Sequence, residues 1–171
     1  MKSKLVVIGN GMAGMRCVEE LLKLVPDKYD ITVFGSEPYG NYNRIMLSPV
    51  LTGEKTIEQI MINDLPWYAD NNITLNVGPQ NEVVGIDRRN RTVESSDGNQ
   101  VPYDRLLLAT GSLPFIIPLP GHGLEGVIAF RDINDVDTML ASAKHHTHAV
   151  VIGGGLLGLE AANGLMKQGM N

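Results

Sequence analysis

The feature that most constrains this sequence is a pair of glycine-rich turns, each lying between an apolar run and an amphipathic stretch. The first is Gly9-Asn10-Gly11-Met12-Ala13-Gly14, and the second contains Gly153, Gly155 and Gly158. Both fit the spacing G-x-G-x-x-G. In this pattern the first glycine makes a tight turn, the second admits a ligand close to the backbone, and the third lets helix and strand pack closely. Each turn therefore predicts a β-α-β unit.

The residues around the first turn predict a mostly parallel sheet. Lys4–Ile8 and Ile31–Phe34 are short apolar runs, and between them apolar residues recur at helical spacing until Pro26. Ile73–Val77 and Arg105–Ala109 are further candidate strands. Three short segments at 82–87, 92–95 and 100–103, separated by turn residues, predict an antiparallel meander. The predicted class is α/β, with a three-layer parallel sheet, a Rossmann-like domain, the inserted meander and the start of a second Rossmann-like unit.

Prolines and candidate helix-capping residues indicate how the chain is divided. Residues 37–53 predict a loop with a short helix after Arg44, and a second short helix begins at Asn63 or Asp64. Prolines at 114, 118 and 120 predict a boundary, followed by a helix over 132–144. We predict a first domain at 1–115 with its meander at about 82–104, a linker and helix at 116–147, and the start of a second domain at 148–171. That start comprises a strand at Ala149–Ile152 and a helix, and we expect its completing strand to lie beyond Asn171.

Composition excludes several function classes. Cys17 is the single cysteine, so the sequence holds neither an internal disulfide nor a cysteine-ligated metal site, and we expect this side chain to pack on the inward face of the first helix. A formal net charge of −5 without a basic run argues against a nucleic-acid surface. No apolar stretch approaches the ~20 residues of a membrane span, so the cytoplasm is the default compartment. His145, His146 and His148 fit a solvated linker better than a metal site.

A nucleotide diphosphate suits each glycine turn on physical grounds. The N-terminus of the following helix offers N–H groups without intrahelical partners and a favourable dipole. Glu37, just after the second strand, stands where a carboxylate would accept a hydrogen bond from a ribose hydroxyl. The alternatives are a solvated loop carboxylate at Glu37 and, at either turn, a glycine-rich turn without a ligand.

Further motifs give the sequence a family resemblance. Leu107-Leu108-Ala109-Thr110-Gly111-Ser112 is a strand that ends in A-T-G, Tyr42-Asn43-Arg44 is followed by Leu47-Ser48, and Gly158-Leu159-Glu160-Ala161-Ala162 follows the second turn. With the two turns, these segments resemble the flavoprotein reductases that carry two dinucleotide-binding domains. The stretches around residues 41–44 and 110–117 are the more specific, and they resemble the N-terminal region of the large subunits of assimilatory NAD(P)H nitrite reductases.

The resemblance implies a role for each site residue. The first turn would hold the FAD diphosphate and Glu37 its adenosine ribose, while Arg44, Thr110 and Gly111 would also contact FAD. The second turn would hold NAD(P)H, with Glu160 close to the nicotinamide. An ordinary surface arginine and a plain helix carboxylate remain alternatives for Arg44 and Glu160. The FAD set is Gly9, Gly11, Met12, Ala13, Gly14, Glu37, Arg44, Thr110 and Gly111, and the NAD(P)H set is Gly153, Gly155, Gly158 and Glu160.

The implied activity is hydride transfer from NAD(P)H to FAD, followed by electron transfer to siroheme and iron–sulfur clusters in the remaining domains of the same polypeptide. No general acid, base or nucleophile is required, because the cofactors carry the chemistry. Relatives often have a lysine after the L-S pair, where this sequence has Pro49, so a lysine contact to the flavin is not expected. A small subunit and a homo-oligomer are compatible with the resemblance. The alternatives are a stand-alone rubredoxin or ferredoxin reductase, or a nucleotide-binding fragment without activity of its own.

Overall fold

The computed structural model describes residues 2–171, and their contacts divide the chain into two compact units. The first unit comprises 1–42 and 61–111, and the second comprises 43–60 and 112–171. The predicted domain boundaries remain predictions. No helix among the described residues is long and apolar enough to cross a bilayer.

A four-stranded parallel sheet forms the centre of the first unit. Its members are β1 (Ser3–Ile8), β2 (Tyr29–Gly35), β5 (Ile73–Val77) and β9 (Arg105–Leu108), and their order in the sheet is β5-β2-β1-β9. The helix α1 (Met12–Leu24) connects β1 to β2. In register, Leu5 pairs with Ile31 on one side and with Arg105 on the other. The predicted parallel sheet is confirmed.

The unit has three layers because alternate residues of β1 face opposite sides of the sheet. Leu5 and Val7 pack with Met15 and Val18 of α1, together with the buried Tyr68. Val6 and Ile8 pack on the other side with Val93, which belongs to the meander. Both faces of this sheet are therefore covered, as its nearly continuous apolar strands require.

The meander is antiparallel, as predicted, and consists of β6 (Val83–Asp87), β7 (Thr92–Ser95) and β8 (Gln100–Pro102). A short antiparallel pair that the sequence did not predict joins β3 (Asn41–Tyr42) to β4 (Met61–Asn63). The helix α3 (Leu65–Asp70) follows, with the Asp64 carboxylate accepting the Trp67 N–H at 3.0 Å.

The second unit is built from α2 (Leu47–Leu51), α4 (Ile133–Ala143) and α5 (Leu156–Lys167), which contact one another. A capping box at Asp132 and Asp135 begins α4 where the sequence predicted its start. Gly164 of α5 lies so close to Leu51 that a Cβ there would be 2.5 Å from Leu51 Cδ2. The helix–helix contact therefore depends on the absence of a side chain at Gly164.

Two local predictions are wrong. Cys17 is exposed, because on α1 the inward positions are those of Gly14, Met15 and Val18. Residues 149–152 do not form the predicted strand, since a strand needs a ladder partner and Val150 to Ile152 find none among residues 2–171. Only the first step of a parallel ladder is present, with Asn171 N–H donating to the Thr147 carbonyl and Ala149 N–H donating to the Asn171 carbonyl.

Candidate functional site

The first glycine turn lies at the carboxyl edge of the parallel sheet, directly after β1. Gly9 has φ +115°, and a Cβ on it would collide with the Ala109 carbonyl at the end of β9. A Cβ on Gly14 would be 2.7 Å from the Gly9 carbonyl oxygen. These two glycines are therefore required by the packing of the turn itself, whether or not a ligand binds.

Gly11 differs from its two neighbours in the motif. Its φ of −92° is accessible to any residue, and a Cβ there would have no neighbour within 4 Å. Packing does not explain this glycine, whereas a ligand that approaches the backbone does. The position of a Gly11 Cβ is open space among the described residues, and no side chain fills it.

The start of α1 supplies donors beside that space. Gly11 is the N-cap residue without a side-chain cap, and the first turn has no acidic residue. Among the described residues, the N–H groups of Met12, Ala13 and Gly14 have no protein acceptor. Three amides of one helix end are thus available for an anion, in the geometry that phosphate groups favour.

Glu37, Thr110 and Gly111 lie on the same edge of the sheet. Glu37 follows β2, and its Oε2 accepts a 2.6 Å hydrogen bond from the Tyr42 hydroxyl. Thr110 and Gly111 follow β9, where the backbone at Ala109–Thr110 meets Gly9. The parallel sheet thus brings together three of the sequence segments predicted to bind FAD.

The second glycine turn has a backbone similar to that of the first but fewer close contacts. Gly153 has φ +136°, Gly155 is an uncapped extended N-cap residue with open space at its Cβ position, and Gly158 approaches the Gly153 carbonyl. In this turn only Gly158 is required by packing, since a Cβ on Gly153 or Gly155 would have no neighbour within 4 Å, and Gly153 is favoured by its positive φ alone. The second turn follows an irregular segment and not a strand.

Arg44 and Glu160 both lie in the second unit, on separate elements. Arg44 Nη1 donates to the Arg131 carbonyl at 2.7 Å, and Arg131 Nη2 donates to the Ser112 hydroxyl at 2.9 Å. Ser48 donates to Glu160 Oε2 at 2.6 Å, which ties α2 to α5. The Ser48–Glu160 bond joins residues that are distant in sequence, so sequence reasoning could not find it.

Sequence reasoning also missed a polar cluster that joins the first turn to neighbouring segments. It contains the partly buried Asn10 and the buried Asn41, Asn63 and Tyr68. Tyr68 is 1% exposed, and burial raises the pKa of its hydroxyl to about 12. In the sequence, the only sign of this cluster is a tyrosine, which carries a polar hydroxyl group, on the apolar face of a short helix. Among residues 2–171, no group of three histidine, cysteine or carboxylate side chains is placed to hold a metal ion.

Comparison with known proteins places these features in a family. Residues 3–171 match the pyridine nucleotide-disulphide oxidoreductase family. Among curated proteins, the chain is 54% identical to nitrite reductase [NAD(P)H] of Bacillus subtilis (strain 168), over 99% of this chain and 21% of that protein. It is 48% identical to the assimilatory nitrate reductase electron transfer subunit of the same organism, over 99% of this chain and 22% of that protein.

A solved structure of an oxidoreductase has a similar fold. The structure of NADH:rubredoxin oxidoreductase from Clostridium acetobutylicum superposes with a TM-score of 0.86 at 28% identity, covering 99% of this chain and 43% of that one. The chain spans about a fifth of the length of the two curated relatives. The glycine turn at the carboxyl edge of the parallel sheet and the second turn of the same spacing agree with the sequence match: the chain belongs to the pyridine nucleotide-disulphide oxidoreductase family.

Proposed function

We propose that the chain is the FAD- and NAD(P)H-binding part of a nitrite reductase large subunit. The observation that carries this proposal is the open space at Gly11 beside three N–H groups without protein acceptors. The 54% identity to a nitrite reductase over nearly the whole chain supports the choice of enzyme.

Each site residue receives a role in this proposal. Gly9, Gly11, Met12, Ala13 and Gly14 form the FAD diphosphate site, and Glu37 accepts a hydrogen bond from the ribose with its carboxylate oriented by Tyr42. Thr110, Gly111 and Arg44 complete the flavin contacts. Gly153, Gly155 and Gly158 bind the NAD(P)H diphosphate. Glu160, held by Ser48, helps to place the nicotinamide.

When bound, FAD would accept a hydride from NAD(P)H and release the electrons toward siroheme and iron–sulfur centres in other domains. The protein's own contribution is to bind and orient. The backbone amides neutralise diphosphate charge, and the bond from Ser48 restricts the Glu160 side chain to one position. We also propose that the protein acts in the cytoplasm.

Replacement of Gly11 by alanine tests the diphosphate site. Because the new methyl group meets no protein atom, the free energy of unfolding should change by no more than about 1 kcal/mol. The methyl group would occupy the space of the diphosphate, so the FAD dissociation constant from fluorescence titration should rise at least ~10-fold.

Gly123→Ala is the matched control, since a Cβ at Gly123 also meets nothing within 4 Å and the residue lies in an exposed loop. This control should bind FAD like the parent protein. Equal FAD affinity in the Gly11→Ala protein would contradict the site assignment.

A stand-alone reductase for rubredoxin remains the second candidate, favoured by the TM-score of 0.86 to such an enzyme. Assays on the protein expressed from its complete reading frame distinguish the two. NAD(P)H-dependent consumption of nitrite supports the first function. Reduction of a dye or of rubredoxin, with nitrite left unchanged, supports the second.

A further inference from the structure

A buried tyrosine connects the first glycine turn to the loop that carries Glu37. Tyr68, on α3, donates its hydroxyl hydrogen to Asn10 Oδ1 at 2.6 Å and accepts the Asn41 N–H at 3.1 Å. Asn10 lies between Gly9 and Gly11, and Asn41 follows the loop after β2. One hydroxyl group therefore binds both segments that the proposed FAD site requires.

Asn10 makes a second connection to the same loop. Its Nδ2 donates to the Tyr39 carbonyl at 3.0 Å, and its Cβ lies over Gly35 so closely that a Cβ there would be 2.8 Å away. The variable residue between the first two glycines is thus held on the end of β2. No side chain is needed at position 10 to form the glycine turn. The hydrogen bonds of Asn10 therefore act to fix the turn relative to the loop.

Two further hydrogen bonds connect this arrangement to α1. Asn41 is 2% exposed, and its Nδ2 donates to Asn63 Oδ1 at 2.8 Å. Asn63 Nδ2 donates in turn to Glu19 Oε1 of α1 at 3.0 Å. The series of hydrogen bonds begins at Asn10 in the glycine turn and ends at Glu19 in the middle of α1, so it connects the two ends of the segment 10–19.

The same loop orients the ribose carboxylate. Glu37 stands two residues before Tyr39, and its side chain is bound by Tyr42, the residue after Asn41. In the proposed FAD complex the diphosphate lies at the turn and the ribose at Glu37. The spacing between the two subsites is therefore set by whatever fixes the loop to the turn.

We infer that Tyr68 is a positioning residue which, acting through Asn10, fixes the distance between the diphosphate and ribose subsites of the FAD site. The inference rests on the proposed function of the first glycine turn. Tyr68 touches no ligand in this scheme. Its hydroxyl group keeps the two subsites in register before FAD arrives, so that binding does not have to order them.

The test is a double-mutant cycle of Tyr68→Phe and Asn10→Ala in protein expressed from its complete reading frame, with FAD affinity measured by fluorescence titration. Tyr68→Phe removes only the hydroxyl group, and we expect FAD affinity to fall about 3- to 10-fold, as for one neutral hydrogen bond. In the Asn10→Ala background, Tyr68→Phe should cause less than about a 2-fold further loss, because its route to the turn is gone.

Tyr29→Phe is the matched control, since Tyr29 packs against the same apolar cluster and its hydroxyl has no hydrogen-bond partner among the described residues. Its FAD affinity should equal that of the parent. The dissociation constant of adenosine, which occupies the ribose subsite alone, should be unchanged in Tyr68→Phe. The dissociation constant of ADP, measured by the same competition, should rise as that of FAD does. General loosening of the fold would weaken both competitors equally.

The outcomes separate the inference from the proposed function. If the parent protein binds no FAD, the proposed function fails. If the parent binds FAD and Tyr68→Phe binds it equally well, the inference is wrong and the site assignment stands. Fully additive losses in the cycle would also overturn it. If Tyr68→Phe does not fold, Asn10→Ala alone still decides, since unchanged affinity in that variant contradicts a role for the Tyr68–Asn10 bond.

Discussion

The three glycines of the first turn are equivalent in the motif, but the physical reasons for a glycine differ among the three positions. Gly9 and Gly14 are fixed by contacts with backbone atoms of the protein, and Gly11 faces open space. The sequence motif calls for glycine at all three positions without distinguishing them. Only the tertiary structure separates the two glycines that the packing of the turn requires from Gly11, which it does not.

This difference gives a prediction for Gly14→Ala. The added methyl group would lie 2.7 Å from the Gly9 carbonyl oxygen and 3.0 Å from Ala109 Cβ. We expect the variant to lose about 1–3 kcal/mol of unfolding free energy in urea denaturation, reduced by up to ~1 kcal/mol from the better helix propensity of alanine. Gly85→Ala is the control, because its nearest contact would be an ordinary 3.6 Å. Equal stability of the two variants would show that the turn can relax.

At the scale of elements, the strands and long helices follow from local patterns. Ile73–Val77 is a strand over the predicted residues, and Asp132 caps α4 where the predicted helix begins. The pair of β3 and β4 escaped prediction because strands of two and three residues carry no periodicity. Residues 149–152 were predicted as a strand from their apolar run, but an apolar run supplies no hydrogen-bond partner.

The contact of α5 with α2 gives a prediction at this scale. In Gly164→Ala a methyl group would meet Leu51 Cδ2 and Cγ at 2.5 Å, so the two helices would have to separate. We expect a loss of about 1–3 kcal/mol in unfolding free energy. Asn163→Ala, on an exposed position of the same helix, should be neutral or slightly stabilising. Circular dichroism during urea titration measures both, and a neutral Gly164→Ala would contradict the packing described for α5.

At the scale of the whole molecule, the described residues differ strongly in how far their side chains are buried. The first unit buries Phe34 and Tyr68 almost completely, at 1% exposure each. In the second unit, residues 112–131 contain neither helix nor strand, and Phe115 is 82% exposed. Few buried contacts and few backbone hydrogen bonds mean that local opening costs little free energy.

Limited chymotrypsin digestion should therefore cut first after Phe115 and Leu124. Cleavage after Phe34 or Tyr68 requires unfolding of the parallel sheet or of the helix packed on it, so it should be slower by at least ~10-fold. Mass spectrometry of early fragments identifies the sites. Early cleavage after Phe34 would show that the first unit is less stable than its burial suggests.

The sequence by itself determined the four parallel strands, the meander, the long helices and the two glycine turns, and it supplied the residues proposed for the FAD site. It could do so because turns, caps and apolar periodicity depend on neighbours in the chain. Only the tertiary structure decided that Tyr68 meets Asn10, that Ser48 meets Glu160 and that Cys17 faces outward. These outcomes depend on how elements pack, because a hydrogen bond between residues far apart in the chain leaves no trace in local composition.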